Sequence, residues 1–128
     1  MKKLNVLLRS LIAQFFLGMA VNVIGKPTPD MSALARYSAY ILLALHVLNA
    51  VFLVVVAGLL YKEFRGNPAW QKSVTRGLWL IVIAFVAGSL TVGTPLEGLF
   101  SFVMAGAFIL AFINYGTLYF QQRNQVKA

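Results

Sequence analysis

The chain has 128 residues, of which 60% are hydrophobic and only 11% charged; a soluble domain of this size carries about 25% charged residues. The charges leave four uncharged runs, Ser10–Gly25, Tyr37–Tyr61, Gly77–Leu96 and Gly98–Gln122, which together hold 86 residues. That pattern excludes a soluble enzyme, a nucleic-acid-binding domain and a disordered tail, and it leads us to read the net charge of +8 as a membrane address.

A hydrocarbon core about 30 Å thick takes about 20 apolar residues per helical crossing. Span 1 is expected over about 4–24. Its uncharged part is short, so Arg9 is expected inside the helix start, reaching back toward the headgroups. Lys2 and Lys3 before an apolar stretch loosely resemble a secretory signal, but Arg9 and Gln14 interrupt the apolar region, so an uncleaved span is expected. Gly25-Lys26-Pro27-Thr28-Pro29 then stops the helix, and Asp30 or Ser32 is placed to cap the next one. Span 2 is expected over about 33–61.

The segment Lys62–Arg76 carries four basic residues, Glu63, the turn Gly66-Asn67-Pro68 and Trp70. It reads as a connector at headgroup level, with anionic lipid headgroups as the partners of its cations and Trp70 as an interfacial anchor. Span 3 is expected over about 77–92, ended by Gly93-Thr94-Pro95. Span 4 is expected over about 99–120, with Tyr115, Tyr119 and Phe120 as an aromatic anchor before a polar tail, Gln121–Ala128. So short a turn between spans 3 and 4 requires an antiparallel hairpin. No tandem repeat stands out, and the two halves share no evident residue pattern.

With both termini on one side, Lys2, Lys3, Arg9, Lys62, Arg65, Lys72, Arg76, Arg123 and Lys127 share that side, and only Lys26 and Arg36 face the other. Basic residues accumulate in cytoplasmic segments, so both termini and the middle connector are expected in the cytoplasm. The absence of cysteine removes disulfides and thiolate chemistry, and one histidine with three acidic residues gives no metal-ligand set, so no metal site is expected.

Polar residues at membrane depth are the informative ones, because each needs a partner there. Span 2 brings His46 near its midpoint and Asn49 one turn on, and span 1 brings Gln14 to a similar depth. Gln14, His46 and Asn49 are therefore expected to form a central polar seam. Asn22, Ser89, Thr91 and Ser101 are expected in a second, outer layer, with Asn114 on the cytoplasmic side of centre. The plainer reading of the seam is interhelical hydrogen bonding. The sharper one makes His46 a haem or quinone ligand, with Gln14 and Asn49 as seam partners and a second His46 from a homodimer, Met19 or Met104 completing a haem. Proton-coupled transport would need an ionisable residue in the path, and inside the spans His46 is alone in that. No nucleophile, base and acid share one plane, so no enzyme is expected. Ala84-x-x-x-Gly88 and Ala107-x-x-x-Ala111 are small-residue faces that permit close packing of spans 3 and 4.

Three stretches carry a resemblance: Gln14-Phe15-Phe16-Leu17-Gly18-Met19-Ala20-Val21-Asn22, Leu43-Ala44-Leu45-His46-Val47-Leu48, and Ser101-Phe102-Val103-Met104-Ala105 with Tyr115. In order and placement they resemble small four-helix membrane proteins of prokaryotes. The resemblance implies a four-span bundle in the cytoplasmic membrane and no established activity. The chain is also loosely similar to the four-helix cores of b-type cytochromes, whose paired histidines it lacks.

The expectation is thus an all-α, up-down, four-span bundle forming one integral membrane domain over 1–128, placed in a bacterial cytoplasmic membrane. Its expected role is that of an accessory or binding component, with a homodimer or another membrane protein as partner and no resident cofactor. A haem- or quinone-binding redox protein centred on His46 stands as the alternative, and a small-solute transporter as a further one.

Overall fold

The computed structural model describes residues 2–91 and 94–127. They form four helices, α1 (Lys2–Ile24), α2 (Ala33–Phe64), α3 (Pro68–Leu90) and α4 (Glu97–Lys127). All four are long and apolar enough to cross a membrane, so the chain is an all-α protein with the makings of a multi-pass membrane protein in contact with lipid. Successive helices pack side by side. Contact is most extensive between α3 and α4, then between α1 and α2 and between α2 and α3; a sparser α1–α4 contact closes the ring. The bundle therefore runs up and down. One end, here the terminal end, holds the start of α1, the end of α4 and the connector between α2 and α3. The distal end holds the two other connectors.

Local chemistry sets the helix boundaries. Gly25 adopts φ +82° and its N–H donates to the Val21 carbonyl at 2.9 Å, the left-handed closure that glycine supplies without strain. Ser32 caps α2 by accepting from the Ala35 N–H at 3.3 Å. Asn67 caps α3 through its side-chain oxygen on the Ala69 N–H, with Pro68 at the first helical position.

Those caps correct the expected connector. Only 65–67 lie between α2 and α3, so most of 62–76 is helix: α2 runs to Phe64 and α3 begins at Pro68, not Gly77. Charges had marked the edge of the apolar run, and charged residues are good helix formers, so the helix carries on past that edge. Likewise α4 spans Glu97–Lys127, which takes in most of the expected polar tail. The expected end of span 3 at Val92, the turn residue Gly93 and the last residue Ala128 lie outside the described residues.

An early start for α3 changes the role of Trp70. It falls on one face with Val74, Gly77 and Ile81 and is buried in the core of the bundle. Tyr115, expected in an aromatic anchor, is fully buried, whereas Phe120 is exposed.

The core is lopsided. Leu4, Leu7 and Leu11 of α1, Leu53, Val56, Ala57 and Leu60 of α2, Trp70, Val74 and Ile81 of α3, and Ala111, Tyr115 and Leu118 of α4 form one cluster, concentrated toward the terminal end. In the distal half the most deeply buried apolar side chains are small, Ala39, Ala87 and Ala107, and many of the large ones are exposed. Lipid supplies no hydrophobic drive between helices, so close approach there depends on small residues.

Candidate functional site

The central seam forms between α1 and α2, and its hydrogen bonds run in a fixed direction. The Asn49 amide nitrogen donates to the Ser10 backbone carbonyl at 2.9 Å and to the Gln14 side-chain oxygen at 2.8 Å. A backbone carbonyl only accepts, so the Asn49 amide has one orientation. Gln14 accepts through its oxygen, and its nitrogen then donates to His46 Nε2 at 3.3 Å. A ring nitrogen that accepts carries no proton, so the neutral imidazole holds its proton on Nδ1. The structure thus brings Gln14, His46 and Asn49 together and adds a member that the sequence did not reveal, the Ser10 carbonyl. Backbone acceptors carry no side-chain signature; only their position one turn before Gln14 hints at them.

His46 Nδ1 is buried and has no hydrogen-bond partner among the described residues. It lies against Gly18, where an added Cβ would stand 3.3 Å from His46 Cε1 and 3.7 Å from Nδ1. Gly18 is the recess that admits the ring. This arrangement does not fit a haem. Axial ligation needs a ring nitrogen with open space before it, yet Nε2 is taken by Gln14 and Nδ1 is closed off by α1. The thioethers considered as second ligands lie elsewhere, with Met19 exposed and Met104 packed against Gly88 between α3 and α4. Among the described residues no group of three or more metal-ligating side chains occurs.

The expected outer layer is not brought together. Ser89 and Thr91 donate to carbonyls of their own helix, Phe85 and Gly88, and Asn22 is exposed. Short hydroxyl side chains in helices satisfy themselves this way, which leaves nothing to share between helices.

A second interhelical pin joins α3 and α4. The Asn114 amide nitrogen donates to the Ser73 carbonyl at 2.9 Å. Next to it, the Tyr115 ring lies directly on Gly77: a Cβ there would be 2.4 Å from the ring Cζ. The Tyr115 hydroxyl is buried without a hydrogen-bond partner among the described residues. Of the expected small-residue faces, Gly88 receives Met104 and Ala107 and Ala111 are buried, while Gly77 is the close approach the sequence did not mark.

The two pins occupy matching places. Leu7, Ser10, Leu11 and Gln14 on α1 have the same spacing as Trp70, Ser73, Val74 and Gly77 on α3, and all face inward or supply the accepting carbonyl. On the partner helices, Asn49 with buried Leu53 matches Asn114 with buried Leu118. The halves do share a pattern, therefore, and it runs in the same direction in both, because α1 and α3 each start at the terminal end. It was hard to see in the sequence because Ser10/Ser73, Asn49/Asn114 and Leu53/Leu118 match in type, whereas Leu7/Trp70, Leu11/Val74 and Gln14/Gly77 match only in packing position.

Ion pairs tie down both ends. Lys3 meets Glu63 at 2.6 Å at the terminal end, and Lys26 meets Glu97 at 2.7 Å at the distal end.

Comparison with known proteins adds no relative: no family model, no curated protein and no solved structure matches the chain.

Proposed function

We propose that this chain is a non-enzymatic four-span protein of a bacterial cytoplasmic membrane, an accessory or binding component that docks with other membrane proteins or with a second copy. Its termini and the connector between α2 and α3 face the cytoplasm. The observation that carries the reading is where the deep polar side chains are spent. Asn49, Gln14 and Asn114 all bond to a neighbouring helix, and His46 is held between Gln14 and Gly18. Such bonds are worth about 0.6 kcal/mol each and rarely above about 1.7 kcal/mol, enough to set helix register. A seam used this way is architecture. The nine basic residues named above at the terminal end, against Lys26 and Arg36 at the distal end, support the orientation and give anionic lipid headgroups as partners of 62–76.

The test is to purify the protein in mild detergent with haem supplied and to record absorption and stability for the wild type and His46→Ala. No Soret band is expected, and a stability loss under about 2 kcal/mol, the range of one interhelical contact with its small cavity. A Soret band that His46→Ala abolishes overturns the reading in favour of redox function. Orientation is checked separately by a reporter fused after Ala128, which should prove cytoplasmic.

A further inference from the structure

Six residues of the α3 flank, Pro68, Gln71, Lys72, Thr75, Arg76 and Trp79, line a shallow groove of about 590 Å³. Lys72 and Arg76 are one turn apart on this face, and like charges at that spacing repel unless an anion lies between them. No acidic side chain among the described residues pairs with them. The chain has three acidic residues. Glu63 is paired with Lys3, Glu97 with Lys26, and Asp30 lies in the connector at the distal end. The second shallow groove, lined by Lys3, Leu59, Lys62 and Glu63, already holds its own carboxylate. The α3 groove is the cationic one without an internal counterion among the described residues.

What lies below the cations identifies the occupant. Trp79, Ile83, Val86 and Leu90 continue the same helix face, spaced three and four residues apart, and all are exposed. At 1.5 Å per residue, the rail from Trp79 to Leu90 is about 16 Å long. α3 ends at Leu90, so Leu90 belongs to the far side of the membrane and the first part of the rail, from Trp79 to Val86, runs beside the acyl chains of the leaflet whose headgroups Lys72 and Arg76 reach back to. A soluble phosphate would use the cations and leave the rail idle. A molecule that needs both has a phosphodiester at one end and acyl chains at the other.

We propose that this face of α3 is a binding site for one anionic phospholipid. Lys72 and Arg76 reach back to hold the phosphate, Gln71 offers a side-chain amide to the headgroup, and Trp79, Ile83 and Val86 lie along the upper acyl chains. The site rests on the proposed headgroup contact of 62–76 and narrows it to one helix face. Arg is suited to the task because its planar fork matches a phosphate with two parallel hydrogen bonds.

The experiment uses the full chain in phosphatidylcholine vesicles containing a minor fraction of brominated phosphatidylglycerol, with tryptophan quenching as the readout. Trp79 is exposed and Trp70 buried, so the quenched signal belongs to Trp79 and should vanish in Trp79→Phe. Two cations near a membrane surface favour an anionic lipid by about thirty-fold at low salt. Quenching should therefore far exceed that from brominated phosphatidylcholine at the same fraction, and Lys72→Gln/Arg76→Gln should bring it down to that level. The control Lys62→Gln/Arg65→Gln removes equal charge elsewhere and should leave quenching near wild type. Equal loss in the control, or relief of quenching by millimolar inorganic phosphate, overturns the site. Anionic lipid content of polymer-extracted discs separates the two claims. Enrichment there with no excess quenching at Trp79 refutes the α3 site alone, and no enrichment refutes the headgroup contact as well.

Discussion

Replacing Gly77 by alanine tests the tightest contact in the bundle. The new methyl carbon would stand 2.4 Å from Tyr115 Cζ and 2.7 Å from both Cε2 and the hydroxyl oxygen. Carbon atoms in favourable contact are about 3.5–4.0 Å apart, so the ring must retreat by more than about 1 Å. Tyr115 is fully buried, and its neighbour Asn114 is tied to the Ser73 carbonyl, so the retreat moves α4 away from α3. Overpacking of this kind costs about 1–3 kcal/mol, and so severe an overlap belongs at the top of that range. Against it stands the better helix propensity of alanine, about 1 kcal/mol. The net expectation is a loss of about 2 kcal/mol. Unfolding by SDS in mixed micelles, followed by both circular dichroism and tryptophan fluorescence, measures it. In a Tyr115→Leu background the methyl has room, so only the propensity gain of about 1 kcal/mol should remain, which makes the coupling energy between the two sites about 3 kcal/mol. A Gly77→Ala protein as stable as wild type, or more so, refutes the packing argument.

Asn49→Ala removes two hydrogen bonds and leaves the Gln14 oxygen unpaired, so it should cost about 1–2 kcal/mol in the same assay, more than His46→Ala loses at the end of the chain of bonds. A larger loss for His46→Ala contradicts that hierarchy. Tyr115→Phe deletes a buried hydroxyl that has no partner among the described residues, so stability should stay level or rise by up to about 1 kcal/mol, and a clear loss would mean the hydroxyl is bonded. Glu97→Gln breaks a half-exposed ion pair and should change stability by less than about 1 kcal/mol, with the difference shrinking as salt is raised. At the distal connector, the Thr28 hydroxyl and then the Asp30 backbone N–H hold the Asp30 carboxyl below its ordinary value near 3.8. A depressed value means the ionised form favours the folded turn above that ordinary value, and the benefit is lost as pH falls through the lower folded one. Thr28→Val should raise the Asp30 titration midpoint measured by carbon-detected NMR; an unmoved midpoint contradicts the assignment.

The charge pattern carried most of the architecture. Runs free of charge located four helices, and the shortness of the turns required antiparallel neighbours. The seam was also readable, because a polar side chain at membrane depth must find a partner and Gln14, His46 and Asn49 had only each other at that level. Reading failed where lipid removes the contrast. In water, an inward residue differs from an outward one in polarity. In a bilayer both are apolar, so nothing in Trp70 or Tyr115 taken singly says that it faces a helix and not lipid. The usable signal was periodic: Trp70, Val74, Gly77 and Ile81 fall at helical spacing behind the Asn67-Pro68 cap, and that cap sits inside what the charges had marked as a loop. The partner of His46 on its far side was hidden for another reason. A glycine recess such as Gly18 is defined by the side chain that fills it, and that side chain is 28 residues away in sequence.

The matched amide-to-carbonyl pins, Asn49 on Ser10 and Asn114 on Ser73, bear on how such a protein is made. Each joins only the two helices of its own hairpin. As the ribosome delivers the chain, α1 and α2 can close on one another in the bilayer before α3 exists, and α3 and α4 can repeat the act without help from the first pair. What then remains is the meeting of two finished hairpins along the apolar cluster at the terminal end. Biogenesis thus divides into two short-range steps and one docking step, and no helix has to wait unpaired in lipid for a partner encoded far downstream.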